Sequence, residues 1–297
     1  MQSVEWIENV LGQKSDLIMF EPNCVIVLIA PEIAIKSEVV RSFMIARLKK
    51  NISFYLKYAN LETKDISYTS GRLIIPSKKP QEIVSLLKTC FGIHSLFLSE
   101  VISFVSLEDL AKKVLPLCEN KFSNETFAVR GKSFSKLFSS KDLEIALGDS
   151  VTEKYPKLIV KLKDPKKELF CLVVKDKAFV YFDAISGAGG MPVSVQGKAA
   201  ILCNKNTNKN DLILIAKSLM KCGASIILAS DDEPKISLSE LQMYNCFIQI
   251  KSIPISLAKS YSIDGGVRAF FSCARTTKEV DIDSELMGEK VFAPLIF

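Results

Sequence analysis

The chain of 297 residues predicts a mixed α/β and α+β protein made of three domains in series. Short apolar runs bounded by turn residues alternate with longer segments of helical spacing, the pattern of layered sheets and helices. Hydrophobic residues make up 48% and charged residues 24%, a globular balance. The irregular stretch Gly187-Ala-Gly-Gly-Met-Pro192 separates two such patterns and reads as a border.

The elements follow in order. Val4 to Leu11 reads as a short amphipathic helix, followed by a turn at Glu21-Pro22, and Val25 to Ala30 as a buried strand. Ser37 opens a helix running to about Tyr58, with Val40, Phe43, Met44, Leu48, Ile52 and Leu56 at helical spacing. Strands are expected near Ile66–Tyr68 and Arg72–Ile75 around a turn at Ser70-Gly71, then a helix from Gln81 to Phe91 closed by Gly92. One strand, a helix, two strands and a helix fit a small α+β sandwich of ferredoxin type.

The second pattern begins with a strand at Ser99–Val105, a helix at Leu107–Asn120 and a strand at Thr126–Lys132. Ser139 or Ser140 caps a helix from Lys141 to Lys154, and strands at Lys157–Lys163, Leu169–Val174 and Ala178–Phe182 complete it. The final hundred residues resemble an incomplete doubly wound domain, with strands near 198–203, 225–229, 246–250, 267–272 and 290–292. Domain limits are set at 1–80, 81–185 and 186–297, with the helix Gln81–Phe91 at the first border.

Composition excludes several classes. The longest apolar run, Cys24 to Ala30, is far below the ~18 residues that span a bilayer, so no membrane role is expected. The opening residues lack the basic start and apolar stretch of a signal peptide, which predicts a cytoplasmic chain. With 39 basic and 33 acidic residues the net charge is +6, compatible with a nucleic-acid partner but no proof of one. Eight cysteines without a C-x-x-C pair read as reduced core residues. The lone histidine, His94, rules out a multi-histidine metal site, and no metal site is expected; it reads as a capping or surface residue.

Two segments carry the functional information. Lys198 to Ala229 reads as strand, polar loop, helix and strand, the place where α/β domains seat nucleotide phosphates. Such loops use glycine so that backbone amides can approach the phosphate, and Asn204 to Asp211 contains none. Thr207, Asn208, Lys209 and Asp211 are the candidate nucleotide contacts of a rewritten loop. Lys205 and Lys209 could attract phosphate, yet their bulk fills the site, and Asp211 reads equally well as the helix N-cap. The second segment places Arg130, Lys132, Lys136 and Lys141 within twelve residues, on a strand end, a loop and a helix start. Cations beside free helix N–H groups suit phosphate oxygens. Phe134 and Phe138 lie between them, placed either to stack on unpaired bases or to join the core. Lys36 and Arg41, near another helix start, oppose its dipole by ~0.3–1 kcal/mol and read as anion contacts or as plain surface charge.

Three patches resemble the tRNA 4-thiouridine synthetases (tRNA sulfurtransferases). They are Glu32-Ile-Ala-Ile-Lys-Ser37 with Arg41; Phe127-Ala-Val-Arg-Gly-Lys132 with Lys136-Leu-Phe138 and Leu147-Gly148; and Val160-Lys-Leu-Lys-Asp-Pro165 through Gly189-Gly-Met-Pro-Val193 to Gly197-Lys198. The resemblance implies a ferredoxin-like N-terminal domain, a THUMP RNA-binding domain and a truncated Rossmann-like PP-loop pyrophosphatase domain. It implies tRNA as partner, gripped at its acceptor region through Lys36, Arg41, Arg130, Lys132, Lys136 and Lys141. The family's S-G-G-x-D-S motif falls on Thr207 to Leu212, where only Asp211 agrees. The expectation is therefore a tRNA-binding protein with a degenerate nucleotide site, no catalytic residue and no cofactor. The alternative is an active, divergent ATP-dependent sulfurtransferase using ATP and Mg. A homodimer, or a pairing with an intact catalytic chain, is a further expectation.

Overall fold

The computed structural model describes residues 20–61, 63, 65–119, 121–122, 126–204, 207–231, 239–246, 250–263, 266–287 and 290–294. The helix expected at Val4–Leu11 and the side chain of Lys205 lie outside them. Two compact units form: Val25–Leu96 with Ala184–Phe297, and Phe97–Asp183 with the residues through Cys24.

In the first unit, the apolar run Cys24–Ile29 forms β1, buried at five of six positions. Pro31 starts a single turn, α1 (Pro31–Ala34), and α2 (Glu38–Tyr58) follows Ser37. Met44, Leu48, Ile52 and Tyr55 face the core, but Val40 and Phe43 are 40% and 53% exposed. Length explains the difference from the periodic expectation. A 21-residue helix runs ~31 Å while a six-residue strand covers ~20 Å, so one end of α2 overhangs the sheet. The strands β2 (Ser67–Thr69) and β3 (Arg72–Pro76) pair antiparallel. Ser70 and Gly71 both take positive φ (46° and 79°), as a two-residue primed hairpin turn requires. α3 (Pro80–Leu87) leads into β4 (Ile93–Ser103), giving strand order β2-β3-β1-β4 and a ferredoxin-like sandwich. His94 is exposed on β4, so it is a surface strand residue and not a helix cap.

In the second unit, the rest of β4 is followed by α4 (Leu107–Val114), capped by Ser106, whose hydroxyl accepts from Asp109 N. The elements β5 (Thr126–Ser133), α5 (Ser140–Lys154), β6 (Ile159–Val160), β7 (Lys167–Val174) and β8 (Lys177–Tyr181) complete it. Strand order is β4-β8-β7-β5-β6, with β5 parallel to both neighbours and the other pairs antiparallel. Phe127, Leu143, Leu147, Leu169 and Val180 form its core.

The first unit continues through β9 (Ile185–Ser186), which pairs with the start of β4. Then come β10 (Lys198–Leu202), α6 (Lys209–Lys221), β11 (Ser225–Ala229), α7 (Ser239–Gln242), β12 (Ser252–Ile253), α8 (Ile255–Ile263), β13 (Val267–Ser272) and α9 (Thr277–Met287). The sheet is parallel throughout in the order β12-β11-β10-β13, a Rossmann-like arrangement. Of the strand expected at 246–250, Cys246 sits in a turn with positive φ, 247–249 lie outside the described residues and Ile250 precedes β12. The strand expected at 290–292 is a single bridge, Phe292 to Phe271. Within this unit α2 is tied to the parallel-sheet domain: Asn51 Nδ2 donates to Val193 O (3.1 Å) and the Tyr55 hydroxyl to Met243 O (2.5 Å).

All eight cysteines are free thiols. Burial pushes Cys118, Cys171 and Cys246 up to about 12, which leaves them protonated and unreactive at neutral pH. Among the described residues no helix is long and apolar enough to cross a membrane.

Candidate functional site

In the parallel sheet the chain leaves β10 toward β11 on one side and returns as β13 on the other. A crevice therefore opens beyond the carboxyl ends of β10 and β13, the position where such sheets hold ligands. It has a volume of about 340 Å³ and is lined by residues including Cys203, Asn208, Asp211, Arg275, Glu279 and Asp283.

Several polar groups in and beside this crevice are, among the described residues, bonded to one another. Asn208 is the N-cap of α6, its Oδ1 accepting from Asn210 N (2.8 Å) and Asp211 N (3.3 Å). Thr207 Oγ1 accepts from Asn204 N at 2.8 Å. Asp211 is not the cap. Its two carboxylate oxygens accept from Arg275 Nε and Nη2, both at 2.7 Å, in a fork-to-fork pair. Lys209 Nζ lies 2.8 Å from Glu240 Oε1. The Ser272 hydroxyl donates to Asp283. Among the described residues, no three His, Cys, Asp or Glu side chains converge as a metal site. A triphosphate needs free amides and uncommitted cations at this helix start. Among the described residues, the amides of Asn210 and Asp211 are taken by a side chain and a buried carboxylate stands beside them, an arrangement that a triphosphate would have to displace.

The Arg275 guanidinium holds the Asp211 carboxyl below the usual carboxylate range through its hydrogen bonds and charge, against the opposing effect of burial. A depressed pKa in the folded state contributes stability above the unfolded value of ~3.9 and loses it as pH falls through the lower folded value. Arg275→Ala is thus expected to lower the melting temperature at every pH from 5 to 8 by a constant amount. The deficit should shrink as pH falls from about 4, where the unfolded chain takes up the proton, through the lower folded value. Melting curves of both proteins across this range check it.

The basic cluster lies in the other unit. Lys132, Lys136 and Lys141 are all exposed, and Lys132 Nζ sits 5.6 Å from the Phe134 ring centroid. Phe134 is 44% exposed, while Phe138 packs toward the core against Phe104 at 5.8 Å, so only the first is free to stack on a base. Two N–H groups at this helix start are already taken. Ser139 and Asp142 form a reciprocal capping box, with Ser139 N donating to Asp142 Oδ2 (2.9 Å) and Asp142 N to Ser139 Oγ (3.2 Å). Arg130 is engaged as well: Nε donates to Glu168 Oε1 (2.8 Å) and Nη2 to Leu162 O (2.7 Å). That second bond holds the edge segment bearing Lys161 and Lys163, both exposed, beside β5.

Lys36 is exposed in the turn between α1 and α2. Arg41 Nη1 reaches Ala34 O (3.4 Å) and Lys36 O (3.3 Å), long bonds to the carbonyls at the end of α1. Lys36 and Arg41 belong to one unit and Arg130, Lys132, Lys136 and Lys141 to the other. Sequence reasoning missed Arg275, whose partner lies 64 positions away. It also passed over Lys161 and Lys163. Their signal was present in Ile159, Val160 and Leu162, 66%, 49% and 69% exposed, a K-x-K stretch whose apolar neighbours bury nothing.

Residues 25–96 match the model of the ThiI ferredoxin-like domain and residues 104–183 that of the THUMP domain. A probable tRNA sulfurtransferase of Sulfurisphaera tokodaii is 27% identical over 279 residues, covering 91% of this chain and 72% of the relative. One of Methanosarcina mazei is 32% identical over 220 residues, 70% of this chain and 51% of the relative. The tRNA sulfurtransferase of Blochmanniella pennsylvanica is 30% identical over 176 residues, 58% and 36% respectively. The chain spans about half the length, or less, of the last two. The same fold is seen in PH1313 from Pyrococcus horikoshii (TM-score 0.73, 22% identity, 92% of this chain and 94% of that one). It is seen again in a 4-thiouridine synthetase solved with RNA and bound ATP (TM-score 0.68, 17% identity, 93% and 81%). The chain is a relative of the tRNA sulfurtransferases, built from a ThiI ferredoxin-like domain, a THUMP domain and a Rossmann-like α/β domain.

Proposed function

We propose that this protein binds tRNA through its ferredoxin-like and THUMP domains and does not adenylate it. One observation carries the second half: the first amides of α6 are capped by Asn208, and Asp211 beside them is locked to Arg275. The first half is supported by the THUMP match, by relatives named tRNA sulfurtransferases and by a fold neighbour crystallised with RNA. In this reading Lys132, Lys136 and Lys141 meet phosphates, joined by Lys36 and Arg41. Arg130 acts by holding the edge segment that presents Lys161 and Lys163. No ATP, no Mg and no catalytic residue is required, and the site of action is the cytoplasm. Filter binding of tRNA tests it: affinity must be measurable at low salt and fall steeply as salt rises, because phosphate contacts release counterions. Salt-insensitive or absent binding removes the proposal.

A second reading has one observation in its favour. The Arg275 side chain is 67% exposed at the crevice, a cation able to turn from Asp211 to a phosphate. An active ATP-dependent sulfurtransferase would then bind ATP with Mg there. Titration calorimetry with MgATP separates the two, since heat of binding abolished by Arg275→Ala favours the enzyme. Native mass spectrometry reports whether a second copy or a catalytic chain accompanies the protein.

A further inference from the structure

The two faces of α6 have different fates. Leu212, Ile215, Ala216 and Met220 are buried in the core, whereas Asn210, Ile213, Leu214, Lys217, Ser218 and Lys221 form a continuous stripe at spacings of three and four residues along a groove of about 630 Å³. Lys88, Thr89 and Phe91 from the end of the ferredoxin-like sandwich form part of the opposite wall, with Tyr244. A cavity of this size suits a ligand of roughly nucleotide dimensions (~300–1,000 Å³).

Its chemistry is one-sided. Lys88, Lys217 and Lys221 have no carboxylate partner among the described residues, and the acidic lining residue, Glu240, is paired with Lys209 at 2.8 Å. Between the lysines stands an aromatic stack. Phe91 and Tyr244 lie 5.7 Å apart at 28°, and Lys217 Nζ rests 4.3 Å from the Tyr244 centroid. The ammonium therefore lies over the Tyr244 ring. A base stacked on an open tyrosine face gains more than a solvated ammonium does there. A nucleotide entering the groove can displace Lys217 from the ring, and the freed cation then meets the phosphate it brought.

We propose that this groove holds a short single-stranded segment of the RNA bound by the protein, its phosphates on Lys88, Lys217 and Lys221 and a base on Tyr244. The proposal rests on the tRNA-binding reading and adds a contact remote in sequence from the THUMP lysines. A duplex does not satisfy it, since paired and stacked bases offer no face to the tyrosine. An acidic protein segment would use the lysines but leave the aromatic stack unexplained.

The test measures affinity of the full chain for a short oligouridylate and for a tRNA transcript across a salt series. It compares wild type, a groove variant (Lys88→Ala, Lys217→Ala, Lys221→Ala), Tyr244→Phe, Tyr244→Ala and a THUMP variant (Lys132→Ala, Lys136→Ala, Lys141→Ala). The groove variant is expected to lose about tenfold for oligouridylate, with a salt slope shallower by about 2, at ~0.7 per single-strand phosphate contact. Tyr244→Phe keeps wild-type affinity and Tyr244→Ala loses it. Ultraviolet cross-linking of wild type to oligouridylate, mapped to Tyr244, supports the site without any variant having to fold. A groove variant with wild-type affinity and slope, beside a THUMP variant that loses tRNA, overturns the groove and leaves the tRNA-binding reading intact. A wild-type chain with no tRNA affinity overturns that reading. Binding of oligoglutamate in place of oligouridylate overturns the proposal in favour of an acidic partner.

Discussion

Replacing Lys132, Lys136 and Lys141 together by alanine is expected to weaken tRNA binding about a hundredfold. Sequence-independent binding of 10⁻⁴–10⁻⁶ M shared among ~6–10 phosphate contacts assigns roughly 1 kcal/mol to each, and the variant removes three. All three side chains are exposed and bury no apolar surface of consequence, so the melting temperature should not move. The slope of log affinity against log salt should become shallower by about 2 to 3. Arg130→Ala separates a positioning role from a phosphate contact. Its guanidinium bonds Glu168 and Leu162 O, so the loss should act through the edge segment and change the slope less than any single lysine does. Filter binding at several salt concentrations reads both effects.

Phe127→Ala should destabilise the THUMP domain by about 3–5 kcal/mol, the range for emptying an aromatic site in a packed core. Phe127 is fully buried on β5, between β6 and β7, and lies 5.4 Å from Phe122. The same strand carries Arg130 and Lys132, so lost packing and lost RNA binding should appear together. Urea unfolding distinguishes this variant from the lysine one: the midpoint falls here and stays in place there.

Much of the architecture is legible in local pattern. The apolar run of β1, the Ser70-Gly71 turn and the reach of α2 to Tyr58 all follow from spacing and turn chemistry that neighbouring residues decide. Ser139, offered with Ser140 as the cap of α5, is the one that caps, while Ser140 Oγ accepts from Ser133 N at 2.9 Å. What local pattern does not contain is the partner chosen across the fold. Asp211 reads as a helix cap until Arg275 arrives from the bend after β13 and takes both its oxygens, leaving Asn208 to cap. Arg130 reads as a free cation until β7 sets Glu168 beside it. Phe134 and Phe138 are equivalent in sequence, and only the packing of Phe104 sends the second inward. The partners of these candidate residues are thus set by the tertiary structure and not by local pattern.

In the function proposed above, the crevice at β10 and β13 has exchanged phosphate binding for an internal network. Release of AMP and pyrophosphate on incubating the protein with tRNA, MgATP and a sulfur donor tests it most directly. No release above a protein-free blank is expected while tRNA remains bound. AMP formation that depends on tRNA and is abolished by Asp211→Ala would contradict it.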